Sequence, residues 1–170
     1  MNIRIFFFLM ACAVYRPSIA ADNVNINVIG RIIASPCIFN AGSSNLDISL
    51  GNVQSTNMAT PGSASVPVPF NLRFTQCPAG TRSVTVSFTG NPDPAAGMDY
   101  YMNSGSATNV AIAMSEANTG MLKGTGSSIT QSIAADRTST IAMLASFKSI
   151  KGGATPGSVS AVVVMTMQYN

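Results

Sequence analysis

Asn23–Ile33 reads NVNINVIGRII, and the spacing of its apolar residues decides what kind of fold follows. Val24, Ile26, Val28, Gly30 and Ile32 occupy every second position, with Asn25 and Asn27 between the first three. Strand side chains alternate between opposite faces, so this pattern predicts a β-strand with one apolar face. From Val24 to Ile32 is eight residue steps, roughly 26 Å at strand rise. The far end of the chain, Val159–Tyr169, has the same character. Two sticky strands near opposite ends must be covered, by the molecule itself or by a partner, because an open apolar edge invites unwanted pairing.

Upstream of the first strand, residues 1–20 read as a secretory signal peptide. Arg4 and the N-terminal amine supply a short positive region, and Ile5–Val14 is an apolar stretch too short to cross a bilayer as a helix. Ser18-Ile19-Ala20 is a small-x-small cleavage site, which predicts a mature chain starting at Ala21. Leu9-Met10-Ala11-Cys12 approximates a lipobox in which Cys12 would be lipidated, but Met10 fits poorly and a better cleavage site follows. Arg4 and Arg16 leave with the leader, so seven basic residues face six acidic ones and the net charge falls from +3 to +1. No basic run points to nucleic acid or anionic lipid. About 150 residues remain, enough for one domain with a core of its own.

With Cys12 in the leader, Cys37 and Cys77 are left. In an oxidising compartment two cysteines read as one disulfide. Closing a loop of about 40 residues stabilises by roughly 4 kcal/mol in the chain-entropy picture.

The rest of the chain reads as strands between turn formers, without a convincing helix. Strands are predicted over Asn23–Ala34, Asn45–Val53, Val66–Phe74, Ser83–Thr89, Asn109–Ser115, Ser128–Ala134, Ser139–Phe147 and Ser158–Tyr169. Val84, Val86 and Phe88 share one face of their segment, as do Ile141, Met143, Ala145 and Phe147 of theirs. Turn chemistry falls at 41–44, 61–63, 91–94, 124–126 and 152–157. Pro67 and Pro69 place their strand at a sheet edge or bulge, since proline has no N–H for the ladder. Short strands at this spacing predict an antiparallel β-sandwich. The eight methionines beyond the leader read as flexible core filler.

Catalytic and metal-binding patterns are missing from the sequence. Histidine is absent altogether, which removes the commonest general base and metal ligand. Asp93 and Asp99 flank a Pro/Gly loop that could in principle hold calcium weakly, but a solvated loop is the simpler reading. Gly124-Thr125-Gly126 lacks the further glycine or lysine of a phosphate-binding loop, and no Gly-x-Ser-x-Gly elbow occurs. The expectation is a protein without enzymatic activity, cofactor, metal, nucleic-acid partner or small-molecule substrate.

Several of these features together resemble a chaperone–usher fimbrial subunit of the type 1 pilus family, especially its minor tip-adaptor subunits. They are the alternating segment 23–33, Ile33-Ala34-Ser35-Pro36-Cys37, Phe74-Thr75-Gln76-Cys77, the 152–157 run ending in Gly157, and Tyr169-Asn170. The resemblance covers essentially the whole chain beyond the leader. It implies an immunoglobulin-like sandwich lacking its last strand, with a long apolar groove beside the C-terminal strand. In that family a periplasmic pilus chaperone fills the groove first, and at the outer-membrane usher the N-terminal extension of a neighbouring pilus subunit replaces it.

On this resemblance residues 21–33 form a donor-strand extension and residues 34–170 the pilin domain. Val24, Ile26, Val28, Gly30 and Ile32 would enter a neighbour's groove, with Gly30 at a shallow place in it; the plainer reading of Gly30 is a bend leading into the domain. Gly157, Val159, Ala161, Val163, Met165, Met167, Tyr169 and Asn170 would form the strand that the chaperone and the incoming subunit read. The resemblance implies export through the periplasm to a fimbrium on the cell surface and a role in adhesion. The competing reading is a secreted β-sandwich binding module whose first strand closes its own sheet.

Overall fold

A computed structural model describes residues 26–31 and 36–170. The chain divides into two units, Met1–Ile32 and Ile33–Asn170. Within the first, residues 26–31 adopt no regular secondary structure, and Ile26, Val28 and Ile29 are exposed. Val24, Ile32 and the whole predicted signal peptide, residues 1–20, lie outside the described residues.

The second unit is built from antiparallel strands, and no α-helix occurs among its described residues. In chain order they are β1 (Ile38–Phe39), β2 (Ser63–Ala64), β3 (Val68–Thr75), β4 (Ser83–Gly90) and β5 (Pro92–Asp93). These are followed by β6 (Gly97–Met102), β7 (Ala111–Glu116), β8 (Ser128–Ser132), β9 (Ser139–Ser149) and β10 (Val163–Tyr169). One sheet runs β1-β3-β9-β7-β6-β5 with β2 also on β9, and the other runs β10-β4-β8. Alternation places Val84, Val86 and Phe88 of β4 and Ile129 of β8 in one wall of the core. Leu72, Phe74, Ile112, Met114, Ile141, Met143 and Ala145 form the facing wall. A disulfide joins Cys37 to Cys77, both buried, at the end of β3.

Strand predictions over 66–74, 83–89, 109–115, 128–134 and 139–147 correspond to β3, β4, β7, β8 and β9 within a few residues. Pro69 lies in the stretch of β3 that pairs only with β9, because β1 reaches no further than Phe74 and Thr75. That is the edge position its missing N–H requires.

Four expectations are corrected. The strand predicted over Asn23–Ala34 does not form in its described part, 26–31, which has no ladder partner among the described residues. Asn45–Val53 is not a strand, because it finds no ladder partner among the described residues even though Leu46, Ile48 and Leu50 alternate toward the core. The last strand begins at Val163 rather than Ser158, for reasons given below. The segment 91–94, expected to be only a turn, contributes Pro92–Asp93 to a short pairing with β6. β6 itself was not anticipated: Tyr101 is its one buried side chain, so it carries no apolar period to read.

Candidate functional site

Among the described residues β10 has a neighbour on one side only. Its register on β4 runs from Val163 opposite Gly90 to Tyr169 opposite Val84. Asn170 and Ser83 exchange both backbone hydrogen bonds, at 3.0 and 3.1 Å. In an antiparallel ladder such bonded pairs alternate with unbonded ones. The even-numbered residues of β10 therefore point their backbone groups at β4. Val163, Met165, Met167 and Tyr169 point theirs away, toward the open edge.

The same odd-numbered residues turn their side chains to the core. Val159, Ala161, Val163, Met165, Met167 and Tyr169 all pack against the main cluster but are only half buried. On β9, a strand covered on both edges, the core-facing series Ile141, Met143, Ala145 and Phe147 is buried. The contrast locates the missing cover at β10.

Opposite the open edge runs the segment that failed to become a strand. Leu46, Ile48 and Leu50 face inward, and among the described residues no backbone hydrogen bond holds 46–53. Between this segment and Val159–Met165 lies a groove of about 420 Å³. Phe70, Ile112, Met114, Ala145 and Phe147 floor it. The groove thus has an apolar floor and two rims of unpaired backbone, the requirements for adding an extended strand by β-augmentation. Met167 and Tyr169 continue the inward face of β10. Tyr169 sets its ring edge-on to Phe74, and burial raises its pKa.

Residues 157–160 explain why β10 starts late. β4 ends at Gly90, and beyond it the loop 103–107 takes over the same edge of the chain. Ala107 N–H donates to the Ser158 carbonyl (3.0 Å) and Ser104 N–H to the Ser160 carbonyl (2.8 Å). The backbones approach so closely that a Cβ on Gly157 would sit 2.5 Å from Ala107 N, and one on Gly105 would meet the Ser158 carbonyl. Gly157 is therefore required by packing.

The sequence-predicted positions divide accordingly. Val159 to Tyr169 line one face, Asn170 closes the ladder to β4, and Gly157 stands at the entry of the same strand. Ile26, Val28 and Gly30 belong to the other unit of the chain. Leu46, Ile48 and Leu50 fall in a predicted strand but in no predicted site; their alternation is the available signal. The 103–107 loop gave none. Asp93 uses Oδ1 to accept from the Ala95 and Ala96 amides, both at 2.9 Å, which makes it a turn former. No group of three metal-ligating side chains is assembled among the described residues.

A profile described as "Fimbrial protein" matches residues 26–170. The chain belongs to the fimbrial protein family. It is 32% identical to Protein FimG of Escherichia coli K12 over 90% of this chain and 89% of that protein. It is 26% identical to the fimbrial-like protein FimF of Salmonella typhimurium LT2 across the full length of both. Among solved structures it is similar to the P pilus rod subunit PapA, with a TM-score of 0.64 and 20% identity over 80% of this chain and all of that one. The fold is accordingly the incomplete immunoglobulin-like sandwich of the pilins, and the protein is a structural fimbrial subunit.

Proposed function

We propose that this subunit polymerises by strand exchange. Its groove accepts an extended strand from one neighbouring subunit, and Val24, Ile26, Val28, Gly30 and Ile32 are donated to the groove of another. The observation that carries this is the open edge of β10, whose half-buried inward face looks across an apolar floor to the unpaired segment 46–51. A periplasmic pilus chaperone occupies the groove during export, reading the alternating face of β10 and Asn170. The outer-membrane usher is where the neighbour's strand displaces it. The assembled product is a fimbrium on the cell surface.

The exposed Ile26 and Val28 support the donor role, since apolar side chains left in water gain by burial elsewhere. Inserting Val24, Ile26, Val28 and Ile32 gives a gross gain on the order of 10 kcal/mol before ordering costs. Gly30 supports it too. A Cβ there would meet nothing within 4 Å among the described residues, so this chain's own packing does not demand glycine. A tight place in the neighbour's groove would. The exchange moves non-covalent contacts only, so the role needs no catalytic group, cofactor or nucleotide.

The deciding experiment compares the full chain alone with the chain refolded alongside a synthetic peptide of residues 21–33. Alone, it should aggregate or unfold at low urea; with the peptide it should give a stable one-to-one complex. A soluble, stable monomer with the extension deleted and no peptide present would sink the proposal.

A further inference from the structure

Asn103 holds the entry of the acceptor strand through four hydrogen bonds. Its Oδ1 accepts from the Gly105 amide at 2.8 Å and from the Ser160 amide at 2.9 Å. Its Nδ2 donates to the Ala107 carbonyl at 2.8 Å and to the Ser158 carbonyl at 3.5 Å. Two N–H donors on one atom and carbonyls on the other fix the orientation of the amide. One end of the network is the loop's own backbone, and the other is the chain just before β10.

The consequence follows from strand alternation. Ser158 and Ser160 spend their backbone groups on the loop: the Ser158 amide donates to Ser106 Oγ (3.0 Å), while the Ser158 and Ser160 carbonyls accept from Ala107 and Ser104. In an extended chain, residues 159 and 161 then direct their N–H and C=O the opposite way. That is the direction in which Val163, Met165, Met167 and Tyr169 present theirs. The loop does for 158–160 what β4 does for 163–169, where β4 itself no longer reaches. Val159 and Ala161, both lining the groove, are thereby aligned with the open edge.

We propose that Asn103 is a positioning residue for strand exchange. By holding Ser160, it extends the hydrogen-bonding edge of the acceptor strand beyond the end of the β10–β4 ladder, so that a guest strand can pair with Val159 and Ala161. The proposal rests on the strand-exchange reading above. An unheld segment would have to be ordered as the guest arrives, and that entropy would oppose binding.

Amide hydrogen exchange on the full chain filled with the 21–33 peptide tests this residue by residue. In the unsubstituted complex the amides of Val159, Ala161, Met165 and Met167 should all be protected. N103A should lower protection at Val159 and Ala161 by about tenfold, the loss expected from removing bonds of this kind, and leave Met165, Met167 and the β9 amides unchanged. N103D keeps an oxygen facing the Gly105 and Ser160 amides but turns its second oxygen on the Ala107 carbonyl that Nδ2 now donates to, so it should recover only part of the protection. Equal protection of Val159 and Ala161 in N103A and the unsubstituted chain would overturn the proposal. So would a uniform loss that includes β9, since that marks general destabilisation. Absence of protection at Met165 and Met167 in the unsubstituted complex would instead remove the strand-exchange reading, and this inference with it.

Discussion

Tyr169, the last residue of β10, meets Phe74 of β3 across the sandwich with ring centroids 6.5 Å apart and planes at 78°. Edge-to-face pairs of this kind contribute about 0.5–1.5 kcal/mol beyond the area they bury. Phe74 also touches Phe39, at 5.4 Å, so three aromatic rings fasten the end of the acceptor strand to the opposite sheet. Replacing Tyr169 with alanine should lower the stability of the peptide-filled subunit by about 2–4 kcal/mol. Tyr169→Phe should cost less than about 1 kcal/mol, because the hydroxyl's partner is the Met167 thioether at 3.6 Å, a weak acceptor. Urea midpoints of the filled complexes measure both. Equal losses for the two variants would mean that the ring contact is not what matters.

Much of this arrangement was legible in the alternating segments. Val84, Val86 and Phe88, and Ile141, Met143 and Ala145, announce their buried faces directly. Leu46, Ile48 and Leu50 announce the right face but the wrong state. Periodicity reports which side chains face apolar surroundings, not whether a neighbour completes the ladder, and among the described residues none completes it here. The 103–107 loop could not be read, since its work is done by Asn103, serines and the missing Cβ of Gly105, residues that any turn might use. β6 escaped because five of its six residues face outward or lie at its rim.

Charge on the donor segment should separate giving a strand from receiving one. Ile26→Asp together with Val28→Asp would carry two carboxylates into an apolar groove, each costing several kcal/mol without a partner. The doubly substituted subunit should fail to donate, slowing its joining to a neighbour at least about a thousandfold. Its own groove should still take up the 21–33 peptide at the unsubstituted rate, because these residues are in the other unit of the chain. Native gels of a two-subunit exchange reaction, beside peptide uptake, read both. If peptide uptake falls as far as donation does, the substitutions have damaged folding rather than the donor strand.

Tyr101 should make the domain sensitive to alkali. It is buried, donates from its hydroxyl to the Lys123 carbonyl at 2.9 Å, and burial pushes its pKa up to about 12 from 10. The folded state thus holds the phenolic proton more tightly than the unfolded chain does. Its contribution is complete below pH 10 and is lost as pH rises toward 12, by on the order of 2–3 kcal/mol. Tyr101→Phe should cost about 1 kcal/mol at neutral pH through the lost hydrogen bond, yet flatten the fall in stability between pH 10 and 12. Urea titrations of both filled proteins across that range would show it. Parallel curves would assign the alkaline loss to other groups.

The Cys37–Cys77 bridge has a second consequence besides its entropy. The loop it closes, 40 residues in sequence separation, contains the whole rim 46–51, which has no backbone hydrogen bonds of its own among the described residues. Opening the bridge therefore frees the less anchored side of the groove as well as lengthening the unfolded chain's reach. Cys37→Ser with Cys77→Ser should lower the stability of the filled subunit by roughly 4 kcal/mol. The empty groove should also take up the 21–33 peptide more weakly, because an unheld rim must be ordered on binding. Calorimetric titration with the peptide, alongside urea unfolding, distinguishes the two effects. A lower unfolding midpoint with unchanged peptide affinity would show that the rim is held by its Leu46, Ile48 and Leu50 contacts alone.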